Sequence, residues 1–171
     1  MALLKTPAPD TTMVAPDFEL EGYDGKSYTY QDIAGKKGTV IMFICNHCPY
    51  VQGIADRLPK EVKHLKKAGI GVVAIMPNDT ESHPEDDADN MKKFAEKHGF
   101  NFPYLIDHTQ DVAKSYGAVC TPDFFGFDKN KNLVYRGRLD SAGHQKAGPA
   151  TEPELRNAML AIADNEGALM T

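Results

Sequence analysis

A chain of 171 residues with 42% hydrophobic and 25% charged residues has the length and composition of one globular domain with a sizeable core. Its formal charge of −5 and pI near 5.6 exclude a general nucleic-acid or anionic-membrane binder, since both need a basic footprint. No apolar stretch approaches the roughly 20 residues of a membrane-spanning helix, and three cysteines are too few for the disulfide framework of a small secreted fold.

Met1 to Asp10 carries one lysine and is interrupted by Pro7 and Pro9, so it does not read as a signal peptide. The expectation is a cytoplasmic protein, exported only if a leader has been removed. Residues 1–14 read as an irregular lead-in. Phe18 to Leu20 and Ser27 to Tyr30 flank the turn pair Asp24-Gly25 and predict a small hairpin. Thr39 to Ile44 (TVIMFI) is a continuous apolar run, as expected of a central strand covered on both faces. Val51, Ile54, Leu58, Val62 and Leu65 then recur at helical spacing, and Pro59 is expected to kink that helix.

Ile70 to Met76 predicts a second buried strand, ended by Pro77-Asn78-Asp79. The acidic stretch from Glu81 to Asp89 reads as a solvated insertion before a helix marked by Met91, Phe94 and Ala95 and stopped near Gly99. Phe102 to Ile106 predicts a strand, Val112 to Tyr116 a short helix. Asp123 to Phe127 and Leu133 to Tyr135 read as paired strands around Asp128-Lys129-Asn130. Thr151-Glu152-Pro153-Glu154 opens a closing helix with Leu155, Met159 and Ile162 on one face. This order predicts a single α/β domain over 1–171, with its core at about 15–140 and a C-terminal helix at about 152–164. Its mixed central sheet carries helices on both faces and an N-terminal hairpin.

The chemistry centres on Cys45-Asn46-His47-Cys48, directly after the apolar run. Two thiols three residues apart, where a strand turns into a helix, are suited to closing a small disulfide ring. At the helix start the first cysteine meets the positive end of the backbone dipole, which favours the Cys45 thiolate. Cys45 is then the attacking thiol and Cys48 the one that resolves the mixed disulfide. His47, as a partly cationic imidazole, would lower the Cys45 pKa and push the couple toward the oxidising end of about −270 to −120 mV. Half of a zinc site is the competing reading, but no second C-x-x-C or paired-histidine motif completes it. His64, His83, His98, His108 and His144 are scattered and read as surface residues.

Six stretches, in this order, resemble one family: Ala15-Pro16-Asp17-Phe18, Asp24-Gly25-Lys26, the strand into Cys45-Asn46-His47-Cys48-Pro49, Phe102-Pro103-Tyr104-Leu105-Ile106-Asp107, Thr121-Pro122-Asp123-Phe124-Phe125 and Tyr135-Arg136-Gly137-Arg138. The chain is similar to the thioredoxin superfamily, in the redoxin branch (AhpC/TSA, peroxiredoxin-like) that groups peroxiredoxins with thioredoxin-like reductases. The resemblance implies a thioredoxin fold and thiol–disulfide exchange through Cys45 and Cys48. Pro122 would be a cis-proline facing the pair, and Thr121 would meet an incoming substrate chain, with Tyr50 adding apolar contact. The substrate would be a protein or small-molecule disulfide, and the reductant a thioredoxin or glutathione system. No cofactor or metal is needed. Cys120 is either a third redox thiol, a mixed-disulfide trap or a small buried side chain.

Peroxiredoxins resemble the chain over the same length, with the peroxidatic cysteine falling at Cys48. There, however, Cys45 stands in place of the usual hydroxyl residue, Ile41 in place of a proline, and Pro122 near the position of an arginine. A thiol peroxidase using Cys48, with Cys45 or Cys120 as resolver and Arg136 or Arg138 supplying the missing charge, is therefore the first rival. A Cu(I)- or Zn-binding module with Cys45, Cys48, Cys120 and His47 as soft ligands is the second. Relative to ordinary thioredoxin, Ile44 replaces a tryptophan and Thr39 replaces the buried acid. Another base, such as water, His47 or Asp123, must therefore serve Cys48.

Overall fold

The computed structural model describes residues 12–164, so the greater part of the expected lead-in lies outside the described residues. These form a seven-stranded mixed sheet in the order β2-β1-β5-β4-β3-β6-β7. β1 (Glu19–Gly22) and β2 (Ser27–Thr29) make the expected hairpin at one edge. Strands β3 (Gly38–Phe43), β4 (Ile70–Met76) and β5 (Tyr104–Ile106) run parallel through the centre. Strands β6 (Asp123–Asp128) and β7 (Leu133–Gly137) close the other edge antiparallel.

Every residue of β3 is buried, and its alternation splits the core in two. Val40 and Met42 join one apolar cluster with Leu58, Val62, Met91, Leu155 and Met159. Ile41 and Phe43 join the other with Tyr30, Tyr116, Phe125 and Phe127. The period of two along a strand produces this division, and helices on both faces explain the unbroken apolar run.

Two elements differ from their sequence reading. Tyr30 does not extend the hairpin but opens a short helix, α1 (Tyr30–Ile33). Thr29 caps it by accepting from Asp32 N–H, and the Asp32 side chain accepts from Thr29 N–H in return. The helix expected from Val51 through Leu65 is two helices, α2 (Pro49–Gln52) and α3 (Leu58–Lys67), and Pro59 sits in the first turn of α3. A proline lacks the N–H that a helix interior needs but loses nothing in its first turn, so it starts a helix here instead of kinking one.

The remaining helices are α4 (Ala88–His98), α5 (Asp111–Tyr116) and α6 (Glu154–Asp164). Gly99, at φ 69°, ends α4 in the left-handed conformation. Arg156 on α6 grips Glu61 on α3 with two hydrogen bonds of 2.8 and 3.1 Å. No helix among the described residues is long and apolar enough to cross a membrane.

Candidate functional site

The site forms where β3 and β4 end, the edge at which parallel strands leave room for chemistry. After Phe43 the chain bends through Cys45-Asn46-His47 and enters α2 with Cys48 as its N-cap and Pro49 in its first turn. β6 runs antiparallel to β3 with Asp123 opposite Phe43, which delivers Cys120-Thr121-Pro122 to the same place. The Thr121–Pro122 peptide bond is cis. Thr121 touches both sulfurs: its Oγ1 lies 3.6 Å from Cys45 Sγ, and its carbonyl oxygen accepts from the Cys48 thiol at 3.5 Å.

Both Cys45 and Cys48 are fully buried, at 0% exposure, and they hydrogen-bond to one another. The helix begins one turn later than the argument for a Cys45 thiolate requires. Around the Cys48 sulfur stand the Cys45 thiol, the Thr121 hydroxyl and the backbone N–H groups of Tyr50 and Val51, though its side chain makes no capping hydrogen bond to α2. These donors, with the Cys45 bond the largest cause, hold its thiol down at about 5. Burial, and the Thr121 carbonyl that accepts from the thiol, oppose this. Cys45 is pushed up, first by its bond to Cys48, then by burial, with the nearby Asp86 carboxylate adding to the effect. The more acidic sulfur is therefore Cys48. A titration followed by thiolate absorbance should show one equivalent ionising at about pH 5 in wild type, rising with pH, and none in that range in Cys48→Ser; two ordinary thiols titrating together near 9 would contradict it.

The acidic stretch read as a solvated insertion contains the buried acid of the site. Glu81, Ser82, His83 and Glu85 are exposed, but Asp86, in a single 3-10 turn (Pro84–Asp86), is fully buried. Its Oδ1 accepts from the backbone N–H of Asn46 at 2.7 Å and of His47 at 3.3 Å. Its Oδ2 faces His47 Nδ1 at 2.5 Å and accepts from Asn78 Nδ2 at 2.9 Å. Asn46 is held further by Tyr104, whose hydroxyl donates to Asn46 Oδ1 at 3.0 Å, and by its own donation to the Glu85 carbonyl. Sequence reading missed Asp86, Asn46, Asn78 and Tyr104. Nothing in a run of acids distinguishes the one that turns inward. Asp87, the neighbour that caps α4 by accepting from Asn90 N–H, was the only local signal that the segment is structured.

His47 therefore faces a carboxylate, and its ring is only about one-quarter exposed. The His83 ring stacks on it at 5.0 Å with 7° between planes, and Glu85 Oε1 lies 3.9 Å from His47 Nδ1. His83 belongs to the site's rim, not to a featureless surface. Nor is His98 a simple surface residue: it is largely covered and bonds Asp56 at 2.6 Å. Ligand atoms of Cys45, His47 and Asp86 lie within 4.8 Å of one another, as do those of His47, His83 and Glu85. Of the four soft ligands named for a metal-binding module, only Cys45 and His47 fall in one such group; Cys48 and Cys120 join neither among the described residues.

Tyr50 meets the site through its backbone, while its half-buried ring packs edge-on against His144 at 4.8 Å. Cys120 is buried and lines a groove of about 250 Å³ with Asn78, Gln110, Lys114 and Val119. Asp123 is fully buried and paired with Arg136 at 2.8 Å. Burial raises the Asp123 pKa, with Arg136 opposing the rise. Arg136 also donates to the Gly117 carbonyl, and Arg138 pairs with Glu154 at 2.6 Å. Both arginines that could have replaced the peroxiredoxin arginine are thus engaged elsewhere.

The segment after β7 is fastened to the site from outside. Arg57, just before α3, makes two bonds to Asp140, of 2.8 and 3.1 Å, and donates to the carbonyls of Gly53, Gly143 and Gln145. Gly53, at the end of α2, is so close to this segment that a Cβ would meet the His144 carbonyl at 2.2 Å.

Comparison with known proteins agrees with this geometry. The AhpC/TSA family model matches residues 12–136. The thiol-disulfide oxidoreductase ResA of Geobacillus thermodenitrificans is 28% identical over 116 residues, 68% of this chain and 62% of that protein. Peroxiredoxin Bcp of Escherichia coli is 28% identical over 113 residues, 66% of this chain and 67% of that one. The chain thus spans about six-tenths of the length of the ResA relative. The crystal structure of an uncharacterized conserved protein from Geobacillus kaustophilus is 40% identical and superposes with a TM-score of 0.90, over 100% of this chain and 91% of that one. With the family match running from ahead of the first hairpin into the last strand, and both relatives redox proteins, the chain belongs to the AhpC/TSA family.

Proposed function

We propose that the protein is a thiol–disulfide oxidoreductase cycling between a Cys45/Cys48 dithiol and its disulfide. The observation that carries this reading is the pair itself: two buried thiols bonded to one another, one acidic and one not, with Thr121 against both. The Cys48 thiolate attacks a disulfide R–S–S–R′, bonding to one sulfur and releasing R′S⁻. Cys45 then attacks Cys48, releasing RS⁻ and leaving the Cys45–Cys48 disulfide. Two electrons pass from the dithiol to the substrate. Because both sulfurs are covered, the substrate gains access when the Cys45–Pro49 turn or the Cys120–Pro122 loop gives way. Thr121, Pro122 and Tyr50 would border the incoming chain. A thioredoxin or glutathione system would return the electrons, in a cytoplasmic setting.

An acidic Cys48 at a helix start also suits peroxide reduction, and this is the second reading. Here the Cys45 S–H stands where peroxiredoxins place a hydroxyl, while Arg136 is held by Asp123. Peroxide chemistry needs donors that polarise the O–O bond, and the arginine is the one not offered. The test is the rate of thiol loss when reduced, metal-free protein meets stoichiometric hydrogen peroxide, beside its rate with glutathione disulfide. Sluggish loss to peroxide with ready, dithiol-reversible oxidation by the disulfide is the expected result. Thiol loss to peroxide far faster than that of a free thiol, and absent in Cys48→Ser, would replace the exchange reading with the peroxidase.

A further inference from the structure

Resolution of the mixed disulfide poses a proton problem. In the resting dithiol Cys45 keeps its proton and donates it toward Cys48. Once Cys48 carries the substrate sulfur, Cys45 must lose that proton before it can attack. The groups around it are few. Cys48 and the Thr121 hydroxyl lie on one side, and Thr121, an alcohol, is no base at neutral pH. The buried phenol of Tyr104, near enough to act on the same charges, donates its own proton to Asn46. Asp123 is tied to Arg136. Asp86 and His47 remain, a carboxylate oxygen of the first and a ring nitrogen of the second each within 4.8 Å of Cys45 Sγ, a reach that one intervening water spans.

We propose that the Asp86–His47 pair is the proton acceptor for Cys45 in the resolving step, with Asp86 as the positioning residue and Glu85 and His83 as the outlet to solvent. The proposal rests on the exchange reading above. The Asp86 carboxylate fixes the His47 ring at 2.5 Å and is itself held by two backbone N–H groups and by Asn78. The proton leaving Cys45 passes to the imidazole, and the Asp86 carboxylate beside the ring balances the charge it brings. The S–S bond between Cys45 and Cys48 forms as the Cys48–SR bond breaks. The RS⁻ released takes a proton from the imidazolium or from solvent, which returns the pair to its starting state. Glu85, 3.9 Å from His47 and 3.4 Å from His83, lies exposed at the mouth of this route. The same carboxylate that adds to the upward shift of Cys45 at rest thereby orients the base that later deprotonates it.

The test uses the full chain, reduced, mixed with a symmetric aromatic disulfide, whose two thiolates are released in two phases: attack by Cys48, then resolution by Cys45. In His47→Gln the ratio of second-phase to first-phase rate should fall by roughly 10–100-fold, and the second phase should change the shape of its pH profile. A merely structural role would not move that profile. Asp86→Asn should do the same in direction; if it fails to fold, the partly exposed His47 variant decides. An unchanged phase ratio and profile in His47→Gln overturns the proposal while leaving exchange intact. Loss of both phases in wild type would overturn the exchange reading, and this inference with it.

Discussion

Cys45→Ser is expected to accumulate a stable mixed disulfide on Cys48, and Cys48→Ser to slow the first step of exchange. This order is the reverse of the one that a helix starting at Cys45 would impose. At neutral pH a thiol titrating at about 5 is almost wholly thiolate, whereas one at or above the ordinary 9.0 is under about 1% ionised. In Cys48→Ser the remaining Cys45 is still buried and still beside Asp86, so its thiolate fraction stays small and the first step should slow. The acidity of Cys48 does not make it an exceptional nucleophile, because nucleophilicity falls with pKa at a Brønsted slope of about 0.4–0.5. Across four pH units that slope cancels most of the gain in thiolate fraction. The net advantage lies in the return step, where an acidic Cys48 is a good leaving group when the reductant attacks the Cys45 sulfur of the disulfide. Mass spectrometry after quenching with an alkylating acid-stable reagent identifies the trapped cysteine; a mixed disulfide on Cys45 in the Cys48→Ser protein would reverse the assignment.

Arg136→Ala should be the most destabilising single substitution near the site. It leaves Asp123, at 0% side-chain exposure, without its cation, and also removes the guanidinium seated 4.5 Å over the Phe125 ring. Breaking one side of a buried ion pair costs about 3–5 kcal/mol. For a chain of this size that is a fall in Tm of roughly 6–20 °C. The pH dependence has a definite sign. Burial already raises the Asp123 carboxyl above its ordinary 3.8, so stability falls as pH rises from that value through the folded-state pKa. Without Arg136 the window extends upward. The gap between variant and wild type should therefore narrow in acid, where Asp123 is neutral, and widen toward neutrality. A gap of under about 1 kcal/mol at neutral pH, by denaturant unfolding, would show that the pair contributes little.

The fold was legible wherever one physical signal acted alone. The apolar run before Cys45 and the second run at Ile70 to Met76 are buried on both faces, and such strands cannot tolerate polar interruptions. The α4 stop at Gly99 was legible because a left-handed terminus favours glycine. Reading failed where two signals competed. Thr29 and Tyr30 are good strand residues, yet the Thr29–Asp32 capping pair overrides that preference and turns the chain into α1. Pro59 was read by its effect inside a helix, when its position was at the start of one. The two cysteines were legible as a pair, but which of them is acidic depends on where the helix begins, a matter of one turn that spacing does not resolve. Asp86 was out of reach altogether. Its role comes from contacts made 39 and 40 residues away in sequence, and its neighbours in the chain are solvated acids of the same chemical type.

The Arg57 clamp separates two boundaries that are easily taken for one. The family match ends at residue 136, so a fragment trimmed to the shared region would keep both cysteines, Asp86 and Thr121. It would nonetheless lose Asp140 and the carbonyls of Gly143 and Gln145, which together satisfy most of the Arg57 guanidinium. It would also uncover the end of α2, where Gly53 lies against His144, and the face of α3 that Arg156 holds through Glu61. Catalytic inheritance and structural autonomy thus end at different residues. The shared core carries the cysteines, while the chain beyond it braces the helix on which Cys48 is mounted.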